Sequence, residues 1–167
     1  MSDADTVIEQ AVIAHLDTLG VAYTTVRIDP AFADTASFCQ AYGYSMDASA
    51  NCIVVAGKTG RGGHAACLVQ ATRRLDVNGT VRRLMGVRKA SFAPAAETTA
   101  LTGMMPDGVT PFGLPPDLPL YVDADVMRRD KVIVGGGSRS LKIEVEVVAF
   151  RAIPQAHIVE GLSRPAP

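Results

Sequence analysis

The sequence predicts one mixed α+β domain, spanning residues 1–167, with a substantially antiparallel sheet. Three observations carry this expectation. Several strand-like runs are joined by uneven helices, and they do not alternate with them as strict βαβ units. Leu141, Ile143, Val145 and Val147 alternate with Lys142, Glu144 and Glu146, the period-2 signature of a strand with one buried face and one wet face. The chain has 167 residues, 48% of them hydrophobic, which is one domain's worth of sequence and enough for a proper core.

Taken in order, Ser2 or Asp3 caps a first helix. Ile8, Val12, Leu16 and Leu19 recur along it at helical spacing, and Gly20 closes it. Residues 22–28 are β-branched and aromatic and read as a strand, broken by Asp29-Pro30. A short helix is expected around Thr35 to Tyr44. NCIVVAG from Asn51 reads as a buried strand, GKTGRGG as a glycine-rich turn, and HAACLVQA as its hairpin partner. Asp76 to Gly79 reads as a turn and Val81 to Met85 as a short helix. Ser91-Phe92-Ala93 reads as a strand, and Pro94 then opens a helix that ends at Gly103. LPLYVDADV supplies a short strand and a helical turn from Asp123. KVIVGGG and LKIEVEVV supply two more strands, and the tail from Pro154 is expected to fray at SRPAP.

Composition narrows the function classes. Sixteen Lys and Arg oppose seventeen Asp and Glu, so net charge selects no partner, and a local patch would have to do so. Mean hydropathy is +0.19 and Trp is absent. Cys39, Cys52 and Cys67 are odd in number and form no C-x-x-C pair, which favours a reducing compartment. The acidic start MSDADTVIEQ has neither a basic nor an apolar leader region, and no apolar run approaches the ~20 residues of a membrane span. The chain therefore reads as soluble and cytoplasmic, with neither membrane nor DNA as an expected partner. His15, His64 and His157 are scattered and there is no H-E-x-x-H, so no metal is expected. Walker A and G-x-S-x-G sequences are absent too.

Three features remain. DGVTPFGLP, Asp107 to Pro115, holds two glycines and two prolines in nine residues. Ordinary turn punctuation accounts for it; alternatively, Gly108 and Gly113 let backbone approach a ligand while Pro111 fixes the curve. GGGSRS, Gly135 to Ser140, is a wide turn, or an edge of N–H groups, hydroxyls and Arg139 that binds an anion or carbonyl. Arg73, Arg74, Arg82, Arg83, Arg88 and Lys89 lie within seventeen residues and are opposed only by Asp76. Such a cluster is a solvated surface, or a patch for nucleic-acid phosphates.

The run KASFAPAAE, TG, DGVTPFGLP, LPLYVD, VIVGGGSRS, LKI resembles the YbaK/prolyl-tRNA synthetase-associated editing domain family from about Ala48 to Ile143. The resemblance implies a largely antiparallel, barrel-like sheet with flanking helices. It also implies hydrolysis of the ester of a mischarged tRNA, such as Ala-tRNA(Pro) or Cys-tRNA(Pro), without metal or organic cofactor. The tRNA acceptor end is then the partner, and the basic cluster would approach it. The implied pocket is built from a lysine opening a central strand and a G-x-x-x-P loop, and it works by positioning and electrostatics.

The sequence departs from the family pattern at both points. Asn51 stands where the lysine is expected, and an amide donates hydrogen bonds without a full charge. Asp107 stands where the loop's first glycine is expected, while Gly108 and Pro111 remain. Lys89 is a compensating cation, or a surface lysine beside Arg88. Two readings follow. In the first, a deacylase uses Asn51 and Gly108 at the reacting centre, with Asp107, Val109, Thr110, Pro111, Phe112 and Gly113 on one wall and Gly135, Gly136, Gly137, Ser138 and Arg139 on the other. In the second, the pocket has lost its lysine and only binds tRNA ends or a small ligand. A weaker third reading is a protein-interaction domain with a vestigial pocket.

Overall fold

A computed structural model describes residues 2–58 and 63–167. Helix α1 (Asp3–Leu19) starts on a reciprocal cap: Asp5 N donates to Ser2 Oγ and Ser2 N to Asp5 Oδ2. Gly20, at φ 69°, ends it. Val12 and Leu16 are its fully buried positions, and Glu9 is buried beside them.

Two open sheets face one another. The first has the order β1 (Tyr23–Arg27), β8 (Leu141–Glu146), β7 (Lys131–Gly135), all antiparallel. The second has the order β5 (Ala90–Phe92), β2 (Ala50–Gly57), β3 (His64–Gln70), β6 (Leu120–Asp123), β9 (Ala156–Val159). Its β5–β2–β3 part is antiparallel, whereas β3–β6 and β6–β9 are parallel. The mixed α+β architecture is thus as expected, but the sheets stay open and do not close into a barrel. The β2–β3 hairpin also forms, although residues 59–62 of its glycine-rich turn lie outside the described residues.

The main core fills the space between the sheets. Val12 and Leu16 meet Cys52 and Leu68 of one sheet and Val134, Leu141 and Ile143 of the other, around Phe112 stacked on Phe150. A second cluster covers the outer face of the five-stranded sheet, where Val55, Cys67 and Val69 pack on Val77, Val81 and Leu162. A third lies under helix α2 (Thr35–Tyr42), where Phe38 and Cys39 cover Ile28 and Ile133.

The tail corrects one expectation. Ser163–Pro165 does not fray but forms β10, antiparallel to β4 (Arg73–Leu75), and Leu162 is fully buried. Pro165 is tolerated because this is a two-stranded edge that needs few ladder donors. Helices α3 (Arg82–Met85) and α4 (Ala95–Thr102) complete the fold.

Candidate active site

Strands β2 and β7 belong to different sheets, and Ser49, just before β2, forms an isolated parallel bridge with Ile133 of β7. Beside it, roofed by α2, lies a cavity of about 450 Å³. Its walls come from three sources: Thr35 and Phe38 from α2, Asn51 to Ile53 from β2, and Gly135 and Lys142 from the facing sheet. Asp107 and Val109 close it from the glycine- and proline-rich loop. Four of the sequence-derived site residues, Asn51, Asp107, Val109 and Gly135, therefore share one cavity although they come from three distant segments.

At Asn51, the Thr35 hydroxyl donates to Oδ1 at 2.6 Å. That bond fixes the amide so that its NH₂ group is the face left to donate, and no protein acceptor meets it among the described residues. Thr35 opens α2, whose cap is Asp34: Ser37 N donates to the Asp34 carboxylate and, with the charge of Lys142 nearby, holds its pKa below the ordinary value. The positive end of the helix dipole thus faces the cavity.

Lys142 is the site residue that the sequence reading placed elsewhere. Strand alternation assigns it to a wet face, yet it is only 6% exposed. Its Nζ donates to Ala33 O at 2.7 Å and lies 5.3 Å from the centre of the Phe38 ring. The face it shares with Glu144 is wet only farther along the strand, because Ala33 and, from α2, Phe38 cover the Lys142 end. Burial pushes its pKa down, and the nearby charges of Asp107 and Asp34 oppose that shift. Nothing in the strand's own pattern signals this; a covering helix is a tertiary fact.

The two glycine-rich segments are placed differently from the expectation that they present backbone to a ligand. They pack on each other. Gly137 N donates to Gly108 O at 2.7 Å and Met105 N to Gly137 O at 2.8 Å. A Cβ at Gly108 would stand 2.5 Å from Ser138 O, and one at Gly135 2.6 Å from Val109 O. Gly108, Gly136, Gly137 and Ser138 are buried and do not line the cavity; a Cβ at Gly136 would meet Leu141 and one at Gly137 the Ile8 side chain of α1. Ser138 Oγ donates to Glu9 at 2.5 Å, so that hydroxyl is already engaged. Thr110, Pro111 and Phe112 are buried in protein, Phe112 in the main core. Gly113 N donates to His15 Nδ1 at 2.7 Å, which ties the loop to α1. Arg139 binds Asp107 Oδ2 at 2.8 Å and reaches the carbonyls of Pro106 and Pro30, so it clamps the loop instead of lining the cavity. Asp107 has φ 61°, the left-handed backbone that suits glycine and that Asp tolerates better than most residues.

Residues 29–153 match the aminoacyl-tRNA editing domain. The chain belongs to that family. No curated protein is significantly similar to it. Among solved structures, the crystal structure of hypothetical protein APE2540 is 25% identical, with a TM-score of 0.82, over 92% of this chain and 99% of that one. A candidate trans-editing enzyme for prolyl-tRNA synthetase is 24% identical, with a TM-score of 0.80, over 99% of each chain.

Within this editing domain the cavity lies wholly inside the matched segment. Lys89 does not reach it. It precedes β5, which pairs with Val55–Gly57, about 20 Å along β2 from Asn51 at the usual strand rise. There Lys58 N donates to Lys89 O at 2.9 Å, which brings exposed Lys58, Arg88 and Lys89 together. The rest of the basic cluster is split. Arg73 is committed to Ser163 and to Asp125 at 3.1 Å, Arg82 Nε donates to Asn78 O and Arg83 to Thr80 Oγ1, while Arg74 is exposed.

No thiol is a ready nucleophile. Burial pushes Cys52 up to about 12 and Cys67 higher still, and Cys39 Sγ sits 3.3 Å from Ser49 Oγ. Among the described residues no three His, Cys, Asp or Glu side chains converge as a cation's ligand set, and no helix is long and apolar enough to cross a membrane.

Proposed function

We propose that this editing domain acts in trans to hydrolyse the ester of a mischarged tRNA carrying a small amino acid, of the Ala-tRNA(Pro) or Cys-tRNA(Pro) kind. The observation that carries the reading is the convergence of Asn51, Asp107, Val109 and Gly135 on one cavity inside the family-matched segment. The aminoacyl group enters a cavity of about 450 Å³, where Phe38, Met46, Ile53, Val109 and Ile133 offer apolar contact and Thr35, Asn51 and Lys142 offer polar groups, and which has room for an aminoacyl ester. Water adds to the ester carbonyl carbon, and the carbonyl oxygen becomes the oxyanion. Collapse breaks the bond to the ribose oxygen, which leaves as the tRNA 3′-hydroxyl after taking one proton from the attacking water; the water's second proton passes to solvent, and the amino acid departs as its carboxylate.

The protein contributes position and oriented donors. The Asn51 NH₂ group, aimed by Thr35, is one such donor. The exposed Lys58, Arg88 and Lys89 at the far end of β2, and Arg74 on β4, meet phosphates of the acceptor stem. The test is a panel of mischarged tRNAs with ester loss followed over time. Cleavage of at least one above the buffer rate is expected, and no cleavage of any sinks the enzymatic reading. The amide at position 51, in place of a cation on that strand, favours one alternative: a pocket that holds the acceptor end without cutting. Tight, salt-sensitive tRNA binding by a silent protein is its signature.

A further inference from the structure

We propose that Lys142 is the substrate-binding cation of this cavity: its ammonium donates to the carbonyl oxygen of the aminoacyl ester and holds the oxyanion formed when water adds. This rests on the deacylase reading above and names the group that does its central electrostatic work.

The argument begins with what Lys142 lacks. An ammonium has three N–H donors. Here one is used, on Ala33 O at 2.7 Å, and the side chain is 94% buried. Among the described residues no carboxylate lies within ion-pair distance of it; Asp107 and Asp34 act on it only from farther away. Burying a cation without an ion partner is unfavourable, and an apolar residue at this strand position would pack against Phe38 and Ile133 with no such penalty. A residue that breaks the rule for buried charge, on the wall of a cavity, is expected where function demands it.

The surroundings define what it binds. The Ala33 carbonyl and the Phe38 face hold the ammonium in place, so little reorganisation is needed when a substrate oxygen arrives. Asn51 faces the same cavity from β2 and supplies neutral N–H donors. One charged donor and one neutral donor on opposing walls suit an oxygen that is neutral in the ester and negative in the tetrahedral intermediate. A charge-assisted bond strengthens as that charge develops. Proton and electron balance is that of simple hydrolysis, with Lys142 protonated before and after.

The experiment compares kcat/KM of the parent with that of Lys142→Met, Asn51→Lys and the double variant, on the best mischarged tRNA of the panel. Thermal melts run alongside. Lys142→Met is expected to melt no lower than the parent and to lose about 10²-fold or more in kcat/KM, the usual effect of removing one oxyanion donor. Asn51→Lys in the Lys142→Met background is expected to recover at least tenfold, because it returns a cation to the same cavity from the facing strand. Unchanged kcat/KM in Lys142→Met overturns the proposal while leaving the deacylase reading standing. So does a loss that the second lysine does not rescue, which is what a structural role for the Ala33 contact would give. If the parent cleaves no ester, the deacylase reading fails, and the proposal is judged by binding of a 3′-aminoacylamino-adenosine probe. Affinity at least tenfold weaker in Lys142→Met upholds Lys142 as the binding cation, and equal affinity overturns it. Lys142→Gln serves in every arm if the methionine variant does not fold.

Discussion

Gly108→Ala tests whether the glycines of the loop serve the fold or a ligand. The added Cβ would meet Ser138 O at 2.5 Å and Gly137 O at 2.7 Å. Both are backbone atoms, so neither can rotate away. Relief requires the two segments to separate, and that stretches Gly137 N to Gly108 O (2.7 Å) and Met105 N to Gly137 O (2.8 Å). Two backbone hydrogen bonds at about 1 kcal/mol each and overpacking at about 1–3 kcal/mol are offset by about 0.4–1 kcal/mol from the stiffer unfolded chain. The net loss is about 2–4.6 kcal/mol, or roughly 4–18 °C in Tm for a chain of this size. Gly103→Ala is the control: its φ of 72° is strained for alanine, but nothing lies within 4 Å of the new Cβ, so it should lose only about 1–2 kcal/mol. Circular dichroism melts of the three proteins decide the matter. If Gly108→Ala melts within about 2 °C of the parent, or falls no further than Gly103→Ala, the packing argument is wrong.

Other outcomes follow from the same geometry. Burial lowers the pKa of His15, whose unprotonated Nδ1 accepts from Gly113 N. The folded state therefore binds its proton less readily than the unfolded chain, and this contribution is complete above pH 6.5 and lost as pH falls through the folded pKa. Urea midpoints at pH 5 and 7.5 should show a drop on acidification that shrinks in His15→Gln; an equal drop in both counts against it. All three thiols are buried, and Cys52 is pushed up to about 12, so a thiol reagent at pH 8 should label none quickly in the native protein and all three in denaturant. Lys142→Met should gain about 1 kcal/mol or more at pH 7. Because burial lowers the folded pKa of Lys142, that gain should fade as pH rises towards 10.5, and a loss at pH 7 would contradict the reading of Lys142 as an uncompensated cation. If Arg74, Arg88 and Lys89 meet phosphates, replacing all three by Ala should flatten the log–log salt dependence of tRNA binding by about 2–3 units; an unchanged slope removes them from the interface.

Most of the fold was legible because its long elements carry strong local signals. The Ser2 cap and the apolar spacing located α1, and the apolar runs flanking a glycine-rich turn located the β2–β3 hairpin. The short elements were not legible. Three residues of β4 and three of β10 show no periodicity, and Ser163-Arg164-Pro165 has the composition of a loop. What orders them is Leu162, which fills the outer cluster beside Val77 and Val81. That is a contact across more than eighty residues of chain, and no local window reveals it.

The site divides in the same way, between what a local sequence signal carries and what only packing decides. Glycine enrichment in DGVTPFGLP and GGGSRS signalled that backbone comes close to something. It could not signal what, because a Cβ is excluded equally by a ligand and by another strand. Here the close neighbour of Gly108 and Gly135 is the other glycine segment, that of Gly136 is Leu141, and that of Gly137 is helix α1 at Ile8 and Val12. The mutual packing still bears on the cavity: it holds Asp107, Val109 and Gly135 against one another where they line it. The charge was harder to place. Alternation correctly assigned Lys142 to the face of β8 opposite Leu141 and Ile143, but alternation says only which face, never what covers it. Lys89, the cation that the sequence offers in place of the expected lysine, lies beside the far end of β2. Across the cavity, the facing sheet already held one. A charge can be supplied to a site from any strand that borders it, so a missing residue in a motif is evidence about one wall and not about the site.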